Sequence, residues 1–489
     1  MRNIRKSSTL ESKFPLLAVE QGCIISKDGD ITVAYEVTLP EIFTVTSQEY
    51  ESVHAAWCKA IKVLPDYSIV HKQDWFVKEN YTPDMQNSDM SFLSRSYERH
   101  FNERPYLHHQ CYLFLTKTTK ERMAHQSNFS TLCRGHIIPK EIKDKETVAR
   151  FLDAVEQFAR IINDSGYISL RRLTDEEITG TERTTGLVGK YLSLSTENVQ
   201  YLEDMELSAS GMRIGNKHLC LHTLSQTEDL PTEVSTDNRF ERLSTDRSDC
   251  RLSFAAPVGL LLSCNHIYNQ YVFIDNSDET LQKFEKTARN MHSLSRYSRQ
   301  NAINKEWIDE YLNEAHSQGL QSVRAHFNVM AWGEDMEELK HLRNDVGSQL
   351  ASMECVPRHN TVDCPTLFWA AIPGNEGDVR HVREIANPAP RREPSQKAVV
   401  TLPAVRGPSV LPHLGPLPAP LQKRPTLPLH PRHPIRDGHD IHHPLLHHLI
   451  QHAQHVPAHP LQHPVQHLSV PPASPHDRHA TRHGPASPL

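Results

Sequence analysis

The final stretch of this sequence lacks the residues that build protein cores. No Phe, Tyr or Trp follows Trp369, and no Cys follows Cys364. Residues 380–489 hold instead 22 of the 33 prolines and 17 of the 32 histidines. Such a composition buries too little apolar surface to offset the entropy lost on ordering the chain. We therefore predict a disordered His/Pro-rich tail over residues 380–489, and we expect the function to reside in the preceding residues.

The part before the tail lacks an excess of positive charge. Residues 1–379 hold 54 acidic and 41 basic side chains, a net charge of −13, whereas residues 380–489 hold 5 and 12, a net charge of +7; together they give the −6 of the whole chain. An acidic surface argues against broad nonspecific binding to nucleic acid. We predict no direct sequence-specific nucleic-acid binding.

Disulfide, signal-peptide and membrane-span patterns are also missing. The nine cysteines are odd in number, scattered and free of C-x-x-C spacing, which favours a reducing compartment. The basic N-terminus is followed by polar Ser7–Lys13 instead of an apolar signal-peptide core. The most apolar run, Pro257–Cys264, is far shorter than the ~20 residues that span a bilayer. The expected location is cytoplasmic.

Apolar periodicity predicts an α+β fold, with a mixed sheet and helices packed on one of its faces. Strands are predicted at Cys23–Lys27, Ile31–Val37, Tyr67–Val77, Cys111–Thr116, Ile168–Leu173, Ala255–Cys264, Tyr271–Asp275, Ser322–Ala331 and Leu367–Ile372, with a loop at Asn265–Asn269. Helices are predicted from Ser47 to about Val63, and at Asp89–Asn102, Glu146–Ile162, Asn276–His292, Ala302–Ser317 and Asp335–Leu350. The predicted organisation is an N-terminal α+β domain at 1–200, a second α+β part at 201–379 and the tail at 380–489.

A phosphate-binding loop would identify an ATPase, and the sequence lacks one. The nearest match is Gly180–Tyr191, in which Gly189-Lys190 stands where the loop has its Gly-Lys pair. The motif needs a glycine five residues before that pair and a serine or threonine after the lysine. Thr184 and Tyr191 occupy these positions. We interpret the segment as an ordinary loop between elements.

No other motif marks an active site. G-x-S-x-G, H-E-x-x-H and G-x-G-x-x-G are absent. Cys220-Leu-His222 and Cys264-Asn-His266 could supply four zinc ligands, but one-residue gaps are uncommon in zinc sites and buried thiols in strands are the preferred interpretation. Asp275 and the loop Asp246–Asp249 are expected in solvated turns. The sequence therefore predicts no catalytic, cofactor-binding or metal-binding residue.

Three explanations of the tail stay open. The preferred one is a frameshifted or otherwise non-native sequence, because out-of-frame coding DNA can lose aromatics abruptly and gain His, Pro, Leu and Arg. The second is a genuine disordered tail. The third is loose binding of zinc, nickel or copper by clusters such as His442-His443 and His447-His448.

Several blocks of the sequence resemble a known family. They look like the N-terminal region of the TraG proteins of Bacteroides-type conjugative transposons, within the class of conjugation ATPases that energise type IV secretion. The resemblance runs from about Met1 to about Asp378 and is carried by Glu11–Glu20, Ser68–Val77, Arg99–Pro105, Ser244–Asp249, Asn265–Tyr271, His326–Trp332 and Ala370–Asn375.

The resemblance implies a non-motor region that contacts the secretion channel and helps to assemble a hexamer. In the family, a C-terminal RecA-like domain binds ATP and magnesium, and its Walker A loop lies some tens of residues beyond the Pro-Gly-Asn element. Here Pro373-Gly-Asn375 is followed by the tail, so the motor is expected to be absent and no catalytic residue can be carried over. We expect no cofactor for this chain and no ATPase activity.

Two functional hypotheses from different classes follow. The first is the assembly portion of a conjugative-transfer ATPase that lacks its motor, with conjugation-apparatus proteins at the inner membrane as partners, peripheral location at its cytoplasmic face, and self-association. The second is a standalone channel-docking or scaffold protein with a disordered tail. A metal-buffering protein is a third, weaker hypothesis.

Overall fold

The computed structural model describes residues 9–40, 46–80, 91–102, 105–120, 144–208, 211–224, 229–231, 238–239, 241, 244–246, 251–252, 254–359, 363–379 and 400–401. The chain divides into two compact units, Met1–Arg424 and Pro425–Leu489, and the second contains none of the described residues. The predicted disorder of residues 380–489 likewise lies outside the described residues, apart from 400–401.

One large sheet organises the first unit. Its strands, with the two that form a separate pair, are β1 (Leu16–Glu20), β2 (Cys23–Ser26), β3 (Ile31–Thr38), β4 (Ser68–Glu79), β5 (Tyr106–Lys117), β6 (Ser169–Arg172), β7 (Met205–Ser208), β8 (Gly211–Ile214), β9 (Lys217–Leu224), β10 (Asn238–Arg239), β11 (Arg251–Leu252), β12 (Asn265–Ile274), β13 (Ser322–Gly333), β14 (Arg358–His359) and β15 (Val400–Thr401).

The long strands β4, β5, β12 and β13 form the middle of this sheet. The order along it is β1-β2-β3-β5-β4-β12-β13-β9-β8-β7, while β6 pairs with β3, β14 with β9 and β15 with β13. Strands β10 and β11 form the separate pair. Every described pairing is antiparallel. The predicted α+β class is therefore confirmed, with an antiparallel sheet.

Helices connect and cover these strands. They are α1 (Leu10–Lys13), α2 (Ser47–Lys62), α3 (Phe92–Asn102), α4 (Lys145–Asp164), α5 (Asp175–Thr179), α6 (Leu187–Ser193), α7 (Ala256–Leu261), α8 (Ser277–Leu294), α9 (Arg299–Gln318), α10 (Met336–Ser352) and α11 (Cys364–Ala370), followed by a short 3-10 helix at Glu376–Asp378.

The N-termini of the longer helices follow from their capping residues. Thr46 accepts a hydrogen bond from the Glu49 backbone N–H while the Glu49 carboxylate accepts one from the Thr46 N–H, which closes a capping box on α2. The side chains of Asp144, Asn276 and Asp335 cap α4, α8 and α10 in the same region of the first turn. These capping residues define where each helix begins.

Because strand side chains alternate, the middle of the sheet has two chemically distinct faces. We call them the Trp75 face and the Lys72 face, after two residues of β4. The Trp75 face packs against α5, α6 and α11. The Lys72 face carries two further cores, one beneath α2 and α4 and the other beneath α7 and α10. Helices thus cover both faces, which corrects the prediction of helices on one face.

Three predicted elements differ in the structure. Ala255–Cys264 was predicted as a strand but contains α7, and Leu367–Ile372 was predicted as a strand but belongs largely to α11. Both helices are short and apolar on all sides, and both have proline in their first turn, where its fixed φ favours a helix. Asn265–Asn269 was predicted as a loop but forms β12 together with Tyr271–Ile274. Neighbouring strands provide hydrogen-bond partners for the side chains of Asn265 and Asn269.

Strands from both predicted α+β domains hydrogen-bond into the same sheet. Strand β4, from residues 1–200, pairs with β12, from residues 201–379. A boundary at residue 200 therefore does not divide the sheet. No RecA-like motor is evident among the described residues.

A membrane-spanning helix is not found in the described ranges, since none of their helices combines the required length and apolar character.

Candidate functional site

A row of buried polar side chains crosses the Trp75 face. His71 and Gln73 come from β4, Asn269 comes from β12, and His326 and Asn328 come from β13. Each is at most 3% exposed. Buried polar groups are costly unless they are hydrogen-bonded, so their partners determine what the row can do.

An indole donor fixes the direction of the hydrogen bonds in this row. Trp75 Nε1–H can only donate, and it lies 2.8 Å from Gln73 Oε1. Gln73 Nε2 therefore donates to Asn269 Oδ1 at 2.8 Å and to the Ala371 carbonyl at 3.1 Å. Asn269 Nδ2 in turn donates to Asn328 Oδ1 at 2.9 Å. From Trp75 to Asn328, each side chain of the row therefore donates a hydrogen bond to the next.

His71 connects the row to the end of the globular body. Asn269 Oδ1 is an acceptor, so His71 Nε2 donates to it at 3.0 Å. The other ring nitrogen, Nδ1, lies 3.5 Å from Glu376 Oε1. The ring is also stacked on Tyr271, with centroids 4.0 Å apart. A proton on Nδ1 or on the carboxyl group makes the His71–Glu376 contact attractive.

Glu376 is completely buried and collects donors from three other parts of the chain. Thr116 Oγ1 donates to Glu376 Oε2 at 2.9 Å, and the Gly374 N–H donates to Oε1 at 3.0 Å. The hydroxyl of Thr32 lies 2.7 Å from that of Thr116 and 3.4 Å from Glu376 Oε2. We call Glu376, His71, Thr116 and Thr32 the junction cluster.

The turn that carries Glu376 into the cluster needs its glycine. Gly374 has φ +95°, and a Cβ there would lie 2.5 Å from Ile24 Cγ2 and 3.0 Å from Leu16 Cδ2. Asn375 Nδ2 donates to the Trp369 carbonyl at 3.0 Å and to Asp378 Oδ2 at 2.9 Å. The Pro373-Gly-Asn375 element is thus a close-packed turn against β1 and β2.

This arrangement is suited to attachment. Its side chains are buried within the core, and it contains no thiol, metal-ligand set or exposed nucleophile. Removing Glu376 would leave the Gly374 N–H and one of the two threonine hydroxyls without an acceptor, so the cluster favours one docked position of residues 372–379. The junction cluster fastens the end of the described body to β3, β4 and β5.

A second buried polar group lies on the opposite face of β4. Lys72 donates to Asp74, and His109 Nε2 lies 3.0 Å from Asp74 Oδ1. Burial raises the pKa of Asp74, but the Lys72 ammonium and the His109 ring outweigh burial and hold that pKa below its usual value. Phe76 stacks between the rings of His109 and His266, at centroid distances of 4.5 and 4.6 Å. The group separates the two cores of the Lys72 face.

The segment that most resembled a phosphate-binding loop is a packed turn. Gly180 pairs with Thr185 in an isolated bridge, and α6 begins at Leu187. Lys190 lies inside this helix. Tyr191, where the motif needs a serine or threonine, is fully buried and its hydroxyl donates to the Phe368 carbonyl at 2.8 Å. The interpretation as a loop between elements therefore fits Gly180–Gly186, whereas Leu187–Tyr191 belong to α6.

The four candidate zinc ligands do not meet. Cys220 and His266 face the same residue, Ala331, from opposite sides, so a whole strand lies between them. His266 Nδ1 donates to the Cys264 carbonyl at 2.9 Å. Within the described residues, no group of three or more His, Cys, Asp or Glu side chains is placed to hold a metal ion.

The candidate carboxylates have different surroundings. Asp275 forms a two-pronged ion pair with Arg324, whose Nη2 lies 2.6 Å from Asp275 Oδ1. Asp246 is exposed, and Asp249 lies outside the described residues. The histidine clusters of the tail also lie outside them. The structure does not bring Asp275 or Asp246 together with the junction cluster.

A comparison with protein families matches the N-terminal part of the chain. Residues 3–55 match a family described as a domain of unknown function, B. theta gene description (DUF3875). This range covers β1, β2, β3 and the first half of α2, and it contains Thr32 of the junction cluster. No curated protein matches the chain.

Proposed function

We propose that this chain is the assembly portion of a TraG-like conjugative-transfer ATPase, acting in DNA transfer through type IV secretion without an ATP-binding motor of its own. Its partners are other conjugation-apparatus proteins at the cytoplasmic face of the inner membrane, and further copies of itself. The observation that carries the proposal is the junction cluster, which builds the segment before the change in composition into the core of the sheet.

This observation supports a domain whose last residues are firmly attached to its core. Glu376 and Val379 are 0% and 2% exposed, respectively, although they lie next to the His/Pro-rich tail. A linker to a partner domain that followed this segment would therefore start from a fixed position on the core. A match in residues 3–55 to a Bacteroides domain is compatible with the resemblance to the TraG N-terminal region.

Exposed aromatic side chains support a role in protein assembly. Helices α8 and α9 pack on each other through Phe284 and Tyr311, whose ring centroids are 5.3 Å apart. Tyr297, between these helices, is 86% exposed, and Trp307 on α9 is 63% exposed. Aromatic residues are enriched in protein–protein interfaces and dominate their binding energy. This hairpin is our candidate surface for contact with the transfer apparatus.

The proposal assigns no nucleotide to this chain. ATP and magnesium belong to a full-length family member, whose Walker A loop would hold the phosphates. The Gly180–Tyr191 segment cannot replace that loop, because Tyr191 is buried in the core and its hydroxyl donates to the Phe368 carbonyl. Binding of ATP by the purified chain with physiological affinity would contradict the proposal.

Overproduction beside an intact conjugation system tests the function directly. If the chain joins the assembly, it should depress conjugative transfer at least tenfold, because complexes that contain it lack motor domains. The double variant Tyr297→Ser, Trp307→Ser should restore transfer, and Tyr201→Ser, which removes another exposed aromatic residue, should not. Undiminished transfer at high levels of folded protein would refute an assembly role.

A standalone channel-docking or scaffold protein is the alternative proposal. The exposed hairpin also suits this function, since docking needs no motor. Transfer would then depend on the chain itself, so deleting its gene should abolish transfer while an intact motor protein is present. Unchanged transfer after deletion would count against this alternative.

A further inference from the structure

Three positively charged or proton-donating side chains meet between α10 and the β9–β14 strand pair, with no acidic partner in the part of the chain that the structure describes. The strand register places His222 opposite His359, and their rings lie 5.3 Å apart. A Cβ on Gly347 of α10 would lie 3.7 Å from His222 Nε2, so the helix backbone passes close to this ring. Arg343 lies one turn earlier on the same face of the helix.

Two buried nitrogen atoms of this group have no hydrogen-bond partner among the described residues. They are His222 Nδ1 and Arg343 Nε. A buried donor without an acceptor is destabilising, and a guanidinium group without one is more so. His222 is only 4% exposed, whereas Arg343 and His359 are half-buried. A small ligand can therefore reach the group from solvent and still contact buried donors.

The electrostatics of the group are those of a site for an anion. Burial, and after it the charges of His359 and Arg343, lower the pKa of His222 to about 4. Burial and Arg343 also lower the pKa of His359. Positive charges therefore act on both rings, and no carboxylate among the described residues compensates them.

We propose that Arg343, His222 and His359 bind a phosphate group between helix α10 and the β9–β14 strand pair. The planar guanidinium matches phosphate oxygens with two parallel N–H bonds, and an imidazole N–H supplies a further donor. A tetrahedral oxyanion presents acceptor oxygens in several directions, so it can be held from the helix and from the strands at once. The site lies on the Lys72 face and is independent of the junction cluster.

Arg358 of β14 offers a matched control. Arg358 Nε lies 2.8 Å from Asp229 Oδ1, so its charge is already paired. Arg358→Gln and Arg343→Gln each remove one positive charge, from β14 and from α10 respectively. If general electrostatic attraction drew phosphate to the protein, both substitutions would weaken binding equally.

Titration of the purified full-length chain with inorganic phosphate at constant ionic strength tests the proposal. We expect saturable binding by calorimetry and shifted His222 and His359 ring signals in NMR spectra, with affinity at least tenfold weaker in Arg343→Gln and changed less than twofold in Arg358→Gln. His359→Gln provides a second, more exposed probe should Arg343→Gln unfold. Absence of saturable binding, or equal effects of the two arginine variants, would overturn the site.

A second titration with adenosine monophosphate identifies the source of the phosphate group. Equal or tighter binding than inorganic phosphate, with competition between the two, indicates a phosphomonoester ligand. Binding of inorganic phosphate alone indicates the free ion. Binding of the nucleotide that is insensitive to Arg343→Gln would place it elsewhere and contradict the site.

Discussion

His71 Nδ1 lies 3.5 Å from Glu376 Oε1, although 305 residues separate the two along the chain. The contact joins a central strand of the sheet to the last turn before the change in composition. Since both side chains are completely buried, neither can exchange its partner for water without local opening. The contact therefore makes residues 372–379 part of the folded core.

The first prediction concerns this attachment. Glu376→Ala should lower the free energy of unfolding by about 3 kcal/mol, because it leaves the Gly374 N–H and one hydroxyl of the Thr32–Thr116 pair buried without an acceptor. Glu376→Gln keeps a carbonyl acceptor and should cost about half as much. Urea unfolding of the full-length chain, followed by tryptophan fluorescence, measures both values.

Glu206→Gln is the control for the loss of a carboxylate. Its ion pair with Arg213 is exposed, and such pairs contribute about 0.5 kcal/mol. If Glu376→Ala and Glu206→Gln had equal effects, the junction cluster would not hold the segment as described.

The second prediction concerns stability at acidic pH. Burial lowers the pKa of His266 to about 4, against a usual value near 6.5. The unfolded chain therefore binds a proton at higher pH than the folded chain does. The contribution of His266 is fully present above about pH 6.5 and is lost as the pH falls towards 4, a change of about 3 kcal/mol.

Replacing this ring should flatten the pH dependence. In His266→Gln, the free energy of unfolding should fall less steeply between pH 6.5 and 4 than in the unsubstituted chain. His316→Gln removes a half-exposed histidine that pairs with Glu285, and it should leave the slope almost unchanged. Equal slopes in all three proteins would show that His266 is not held neutral by burial.

The amphipathic helices could be predicted from sequence because their periodicity and caps are local. Helix α4 buries Phe151, Val155 and Phe158 on one side, and its period is visible without any partner. Helices α7 and α11 gave no such pattern, because both are short and buried on several sides. An apolar run of this length fits a buried strand equally well.

The candidate site was not predictable, because its members are polar residues whose partners are distant in sequence. His266 and Asn269 belong to a stretch predicted as a loop, yet they lie in β12, where register with β4 and β13 determines their environment. Glu376 looked like one more acidic residue beside a turn. Only the sheet order brings Thr32, Thr116 and His71 to it.

The third prediction concerns the turn that resembled a phosphate-binding loop. A Cβ on Gly186 would lie 2.6 Å from the Ile178 carbonyl oxygen, in a region where the nearest atoms are backbone. Gly186→Ala should therefore cost about 3 kcal/mol or more, since the backbone itself must move. Thermal unfolding followed by circular dichroism measures this loss.

Gly319→Ala separates crowding from backbone strain. Gly319 has φ +59° and nothing within 4 Å of an added Cβ, so only the left-handed conformation opposes alanine, at about 1 kcal/mol. A Gly186→Ala protein as stable as Gly319→Ala would mean that the Gly180–Gly186 turn is not close-packed.

The last prediction tests the direction of the hydrogen bonds from Trp75. Gln73 Nε2 faces two acceptors, Asn269 Oδ1 and the Ala371 carbonyl. Gln73→Glu would place a carboxylate oxygen against both, whereas Gln73→Met removes the donor without adding charge. At pH 7 the glutamate variant should be less stable than the methionine variant by about 2 kcal/mol. The difference in free energy of unfolding between the two variants should narrow as the pH falls to 5, because protonation of the carboxyl restores a donor. Both variants keep the same histidines, so the pH dependence that arises from histidine cancels in this difference. Equal stability at pH 7 would mean that hydrogen bonds donated by the Gln73 amide to these two acceptors do not stabilise the fold.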